Sequence, residues 1–494
     1  LAPRALLARL GRSLDLAAAD VRLPSRQQTL RSAIAWSYDL LAPELAEVFR
    51  RLGVFAGGCD LNALAAITAV GPGQGAQETD ADPLDLATEL HDVSLITVTE
   101  GADGEPRVGM LETIREFALE CLEQAGDLDD ARRRHAEYYA VVAERTDEQL
   151  RGSGTAHLAA LDRLEAEHDN MRAALAWSLQ TPAATLVPDS AEQPAIGLRL
   201  VQALAYFWYR HGHLLEGRRW LERAIELAAP DGGATLAELA HWLGVLLQQQ
   251  GEPQAAAQLL DRSLTIWREL GDRDQQAREL NSLGITLHHL GEVDGARSLL
   301  EESATISREV GSDPRLAAAL TNLGQLESDA ENFTRATEVL LEALAIDRRQ
   351  GDMLGVAIDQ QSLAGVGLRA GHAQEARDLL SSMAGYVTSS GDPELLATTL
   401  ELCAANAAQF GEALRAARLT GAAQAIRQKT GIPIKQPEML EKFLAPVRAT
   451  IASEQWDAEL ATGRALTQQQ AATLVASPSP EPDTAPASHR QDSP

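Results

Sequence analysis

The feature that most constrains this chain is an internal repeat of forty residues. The segments LGVLLQQQGEPQAA (243–256), LGITLHHLGEVDGA (283–296), LGQLESDAENFTRA (323–336) and LAGVGLRAGHAQEA (363–376) superpose without gaps, and CAANAAQFGEALRA (403–416) follows in phase. Beyond those windows Ala256, Ala296, Ala336, Ala376 and Ala416 align, as do Leu260, Leu300, Leu340 and Leu380. So do Gly271, Gly311, Gly351, Gly391 and Gly431, while an earlier unit around Gly212, Leu221 and Gly232 is displaced by one residue. Each unit reads as a first helix, with a small residue (Gly244, Gly284, Gly324, Ala364) where another helix comes close. A break follows at Gly251, Gly291, Glu331, Gly371 or Gly411, and then a second helix that ends in Gly-Asp or Gly-Ser. One such hairpin cannot bury its apolar face alone, so neighbours must stack into a continuous α-solenoid.

This pattern resembles the tetratricopeptide family, whose unit is about 34 residues long. The resemblance covers roughly 196–433, with a departure: the unit here is forty residues and no proline closes the second helix. It implies a longer second helix plus the Gly-Asp turn, as in longer-repeat relatives of bacterial signalling ATPases. The alanine- and leucine-rich composition, with only 4% aromatic residues, agrees with packed helices over a sandwich or barrel.

The N-terminal part follows a different grammar. A helical stretch runs from Gln27 to Leu40, and Pro43 sits at the first turn of the next helix, which carries Leu45, Val48, Phe49 and Leu52. After the Gly57-Gly58 turn, Asp60 can cap a helix holding Leu61, Leu64 and Ile67, and Pro83 opens another through Leu90. The runs 95–99 and 107–110 are strand-like around the turn at 101–104, and a helix follows from Leu111 through Leu122. Helices followed by a β-hairpin are the makings of a winged helix.

Here LPSRQQTLRSAIAWSYDLL (23–41), FRRLGVFAGGCDL (49–61) and MLETIREFALECL (110–122) resemble the winged-helix segment of bacterial STAND regulators, the LuxR-type and AfsR-type predicted ATPases. EHDNMRAALAWSL (167–179) is similar to their junction into the repeats, and RLVQALAYFWYRHGHLLEGRRWLERAI (199–225) to their first repeat. Cys59 departs from the family at a position where an aromatic is common, and HDVSL (91–95) lacks the usual basic residue. The resemblance implies an upstream P-loop domain that would carry ATP and Mg²⁺. In this chain no lysine follows a glycine, so GxxxxGK[ST] is absent; at Lys429-Thr430 the two glycine positions hold Ala423 and Gln428. No cofactor and no enzymatic activity are therefore expected of it. The expected organisation is a residual helix over 1–22, a winged-helix domain over 23–125, a helical junction over 126–195 and repeats over 196–433. A helical cap over 434–475 and a disordered, proline-rich tail over 476–494 follow.

Charge weighs the functional classes. Against 43 basic residues stand 71 acidic ones, a formal net charge of −28, which repels nucleic acid and anionic membranes. Between 26 and 120 six arginines (Arg26, Arg31, Arg50, Arg51, Arg107, Arg115) face sixteen acids, a net of −10, so direct DNA contact by the winged helix is unlike what phosphate binding requires. Cys59, Cys121 and Cys403 form no CxxC pair, and cytoplasmic location fits them. His211-Gly-His213 and His288-His289 have no carboxylate or cysteine at ligand spacing, so no metal is expected, and without a nucleophile motif no catalytic residue is assigned.

One polar ladder stands out. Three positions before each small residue lie His241, Asn281, Thr321, Gln361 and Glu401, polar among apolar neighbours. With Gln248, Gln249, His288, His289, Gln325, Ser328, Asp329 and Arg369 they form a candidate groove for a protein or small-molecule effector, as solenoids commonly use such faces. The expectation is a mainly α, non-catalytic fragment of a transcriptional regulator, in which the repeats sense an effector and the winged helix couples to an absent ATPase domain. The competing class is a transcription factor that binds DNA directly through the winged helix.

Overall fold

Prolines and short polar side chains start the N-terminal helices where the sequence places them. In the computed structural model, which describes residues 30–68, 82–101, 104–150, 155–179, 192–228, 232–430, 434 and 437–476, α1 spans Leu30–Asp39 and α2 spans Pro43–Leu52. Pro43 opens α2, whose Leu45, Val48, Phe49 and Leu52 are buried. Asp60 Oδ1 accepts from Ala63 N at 2.7 Å and so starts α3 (Leu61–Thr68); Asp82 does the same for Leu84 N ahead of α4 (Pro83–Asp92). Tyr38, Phe49 and Phe117 meet in the core, with ring centroids 5.4–6.4 Å apart.

The hairpin carries one strand more than expected. Cys59–Asp60 is a short β1, which pairs antiparallel with β3 (Pro106–Gly109), while β2 (Thr97–Glu100) pairs with the other edge of β3 in the order β1-β3-β2. Gly57 and Gly58, at φ +80° and +82°, allow the approach; a Cβ on Gly58 would sit 2.5 Å from the Val108 carbonyl oxygen. Two residues are too short a run for alternation to announce. Helix α5 (Glu112–Ala125) then ends on left-handed Gly126.

The chain divides between Leu270 and Gly271 into two compact units. The first contains the elements above together with α6 (Leu128–Leu150), α7 (Thr155–Ala166), α8 (His168–Leu179), α9 (Glu192–His211), α10 (Leu214–Leu227), α11 (Gly233–Gln249) and α12 (Pro253–Leu270). Its core runs through Tyr139, Leu164, Met171, Phe207, Trp208 and Leu221.

The second unit is built of tetratricopeptide-like hairpins: α13 (Arg273–His289) with α14 (Val293–Val310), α15 (Asp313–Asp329) with α16 (Phe333–Gln350), α17 (Met353–Ala370) with α18 (Ala373–Ser390), and α19 (Pro393–Gln409) with α20 (Ala413–Thr430). Gly291, Gly371 and Gly411 turn each hairpin at φ +78° to +86°, and Glu331 takes the same left-handed conformation at +62°. The turns between hairpins use Gly311, Gly351 and Gly391; after the last two the following aspartate caps the next helix, Asp352 and Asp392 each accepting from two backbone N–H groups, while Ser312 after Gly311 makes no side-chain cap bond. Gly-Asp is thus a stop and a start in two residues. The two helices of each hairpin are nearly equal, at 17 or 18 residues, rather than the second being lengthened alone. The conserved register of small residue and leucine is steric: a Cβ on Gly284 would lie 2.8 Å from Leu300 Cγ, and one on Gly324 would collide with Leu340.

A cap of α21 (Pro437–Arg448), α22 (Ser453–Arg464) and α23 (Gln468–Ala476) follows. Gly421 and Gly463 bring α20 and α22 together so closely that a Cβ on either would meet backbone of the other. The helix expected over 1–22 and the tail from 477 lie outside the described residues, and none of the described helices is long and apolar enough to cross a membrane.

Candidate functional site

The polar ladder lies between helices, where Asn281, Thr321 and Gln361 find partners about one repeat away. Thr321, on α15, donates to Asp359 Oδ1 at 2.6 Å and is buried; Asn322 Nδ2 donates to Asn281 Oδ1 at 2.9 Å; Gln361 Nε2 donates to the Leu395 carbonyl at 2.8 Å and to Thr399 Oγ1 at 2.7 Å. Buried Glu401 holds Arg427 through both oxygens, at 3.0 and 3.1 Å. In the first unit His241 is buried beside Trp242 on α11. This corrects the expectation that the ladder lines an open groove: His241, Thr321, Glu401 and Ser328 are buried, and Thr321 and Glu401 join neighbouring helices. A polar group inside a helical array is tolerated when its hydrogen bonds are made; Thr321, Gln361 and Glu401 make theirs, although Asp359 Oδ2 and Arg427 Nη1 stay unpaired.

The face left to solvent is one column further along the first helices. Asp329 is its centre: His288 Nε2 stands 3.2 Å from Oδ2 and Arg369 Nη1 donates to Oδ1 at 2.7 Å, so α13, α15 and α17 are tied at one level. Arg369 also donates to Ser328 Oγ at 3.2 Å, and Gln325 Nε2 donates to Ser362 Oγ at 3.3 Å. Partial burial pushes the Asp329 carboxyl up, but the hydrogen bonds from His288 and Arg369 outweigh it and hold it below its usual range. Gln325, Asp329 and His289 are exposed in this unit; in the other, Gln249 is exposed and Gln248 half-buried. Sequence reasoning missed the neighbouring Glu327, 3% exposed, which accepts from Arg297 Nε at 2.6 Å and Asn332 Nδ2 at 2.7 Å.

A second constellation fixes the hairpin to the junction helices of the first unit. Glu167 and Asn170, from the EHDN run, converge with Arg107 of β3. Arg107 Nη1 pairs with Glu167 Oε1, and its Nη2 donates to the Gly58 and Ala166 carbonyls at 3.3 and 3.2 Å. Asn170 donates to the Gly58 carbonyl and to Glu167 Oε2, both at 2.8 Å, and accepts from Ala56 N; the Tyr139 hydroxyl donates to Glu167 Oε2 at 2.9 Å. Behind them, complete burial pushes His135 down to about 4, so it is neutral. The remaining described arginines of the module are also engaged: Arg31 with Glu120, Arg50 with Tyr38, Arg51 with Glu47, Arg115 with Glu112.

The histidine pairs also acquire carboxylates from a distance, which corrects the expectation that none accompanies them. His288 has Asp329; His213 Nε2 and His211 Nδ1 stand 2.9 and 3.3 Å from Glu165 Oε2.

The tetratricopeptide repeat profile matches residues 235–309 and 275–349. Over 204 residues the chain is 37% identical to proteins of Mycobacterium tuberculosis and Mycobacterium bovis provisionally named HTH-type transcriptional regulators, a match covering 41% of this chain and 20% of theirs. It is 33% identical over 106 residues to an uncharacterized protein of M. tuberculosis, covering 21% of this chain and 25% of that one. The chain thus spans about a fifth of the length of the regulators it matches. Among solved structures, a signal transduction ATPase with numerous domains (STAND) with a tetratricopeptide repeat sensor, from Pyrococcus horikoshii, aligns with 86% of this chain and 63% of its own at 14% identity and TM-score 0.42. A Rap conjugation gene regulator of plasmid pLS20, in complex with the Phr* peptide, aligns with 67% of this chain and 99% of its own at 13% identity and TM-score 0.42.

Proposed function

We propose that this chain is the non-catalytic sensor part of a STAND-type, LuxR- or AfsR-like transcriptional regulator that works in the cytoplasm. Its repeats bind a protein or small-molecule effector, and its N-terminal module, a winged helix, couples the repeats to a nucleotide-binding domain outside this chain. ATP and Mg²⁺ belong to that domain. The observation that carries the reading is the Asp329 column: charged and amide side chains from successive first helices, tied at one level and partly open to solvent. Such a face discriminates by hydrogen bonds, and an effector that prefers one arrangement of the helices shifts the equilibrium by its differential affinity. The similarity to named regulators supports the biological setting.

The alternative, direct DNA binding by the module, is disfavoured by its charge and by its arginines: the five described ones already hold protein partners. Phosphate binding would have to break those pairs against a net −10 field over 26–120. Removing the coding sequence for 273–430 from the chromosomal gene tests the sensor reading. Loss of the regulator's normal transcript changes is the expected result, and regulation that proceeds unchanged would contradict it. Salt-titrated DNA binding by the purified chain tests the alternative, which requires an affinity that falls steeply with salt.

A further inference from the structure

His168 opens α8 and is only 4% exposed, yet its Nε2 has no hydrogen-bond partner. A buried polar atom left unpaired is costly, so its surroundings bear on what completes it. Glu216 Oε1, in the first turn of α10, stands 3.5 Å away, and the His213 ring lies 4.4 Å from the His168 ring. One ligand atom from each of His168, His213 and Glu216 can be chosen so that all three lie within 4.8 Å of one another. Two ligands on a tetrahedral zinc, with bonds of about 2.0–2.2 Å, sit roughly 3.4 Å apart, so the spacing suits a shared ion.

We propose that His168, His213 and Glu216 bind one Zn²⁺-class transition-metal ion, with the remaining coordination position open. Imidazole and carboxylate together suit borderline metals over Mg²⁺ or Ca²⁺, which take all-oxygen sets. Two outer contacts fit a metal site. Glu165 meets one ring nitrogen of His213 at 2.9 Å, as carboxylates do behind metal-bound histidines, and Arg172 holds Glu216 at 2.6 and 2.8 Å. Arg172 also pairs with Asp169. The three carboxylates of Glu165, Asp169 and Glu216 against the one guanidinium of Arg172 leave a local charge of −2 when the imidazoles are neutral, which attracts a dication past the guanidinium. The ligands come from α8, the α9–α10 turn and α10, so a bound ion would brace the junction that also carries Glu167 and Asn170.

The untagged 494-residue chain, stripped with chelator, is titrated with Zn²⁺ and separately with Mg²⁺ by calorimetry, and its melting temperature is read with and without Zn²⁺. One equivalent of Zn²⁺ is expected to bind with a Kd at or below about 1 µM and to raise the melting temperature, with no binding of Mg²⁺. His168→Gln and His213→Gln should each weaken binding by about 100-fold or more, at or beyond the cost of losing an outer-shell partner. His211→Gln and the double variant H288Q/H289Q should leave affinity within about threefold, below what loss of an outer-shell partner costs. Absence of binding to the parent chain overturns the proposal whatever the variants do. Binding that His211→Gln removes and His168→Gln spares also overturns it, as does binding that follows H288Q/H289Q. If His168→Gln does not fold, Glu216→Gln takes its place, with the same loss expected.

Discussion

In the second unit, some side chains meet partners one repeat away in sequence: Asn322 with Asn281, and Arg369 with Asp329, at separations of 41 and 40 residues. In the first unit, Arg107 reaches Glu167 over 60 residues, and His213 reaches Glu165 over 48, with no repeat to announce either. Both regions consist of helices joined by polar contacts, and they differ in how those contacts are specified. Repetition makes one hairpin's packing a template for the next, so stability there is expected to be a sum of similar local increments. The junction is joined by a few side chains that meet once.

The sharpest way to break this contrast is to truncate equivalent leucines. Leu300→Ala and Leu340→Ala remove fully buried side chains that oppose Gly284 and Gly324, and each should destabilise by about 3 kcal/mol, with the two values close to each other. Urea unfolding measures both; a difference as large as either effect would show that the hairpins are not equivalent. At the junction, Glu167→Gln should cost about 2–3 kcal/mol, because it leaves Arg107 without its counter-charge while preserving shape. A melt identical to that of the parent would mean that the Arg107 hub does not hold the hairpin.

A smaller effect depends on pH. Burial raises Asp359 to about 7 and neighbouring Asp347 to about 6, with Thr321 donating to Asp359 Oδ1. Unfolded carboxyls ionise near pH 4, so between about pH 4 and 7 the folded chain keeps protons that the unfolded chain releases. Stability therefore falls as pH rises through that window and levels off above it. Melting should be higher at pH 5 than at pH 8 by at least about 4 °C, and Asp359→Asn should remove most of that difference. An unchanged pH profile in Asp359→Asn would assign the dependence to the chain's overall acidity instead. The smallest effect belongs to the exposed pair of Arg308 and Glu342, where Arg308→Ala should change stability by less than about 0.5 kcal/mol, and a loss above 1 would contradict the view that such surface pairs add little.

The fold was readable wherever a residue's role is local. Gly291, Gly371 and Gly411 mark left-handed turns because only a residue free of Cβ strain adopts them cheaply, and Glu331 holds the same geometry at the one place where the pattern lacks glycine. Pro43, Asp60 and Pro83 start helices for equally local reasons. The ladder at Thr321 and Gln361 was visible as polarity with a period, but polarity does not distinguish a wet groove from a hydrogen-bonded seam; that depends on what the next hairpin presents, here Asp359 and Thr399. The His168 cluster and the Arg107 hub were illegible because their members lie in separate segments, and only the chain's path brings them together. Strand β1, two residues long, left no pattern to read.

The central claim is that recognition resides on the repeats and not on the N-terminal module. It is tested most directly by transcript profiling of two chromosomal replacements, with protein levels matched. One carries Asp329→Asn with Arg369→Gln, the other Arg50→Gln with Arg51→Gln. The account predicts that the repeat variant reproduces the profile of a gene deletion while the module variant matches the parent, and the reverse assignment would contradict it.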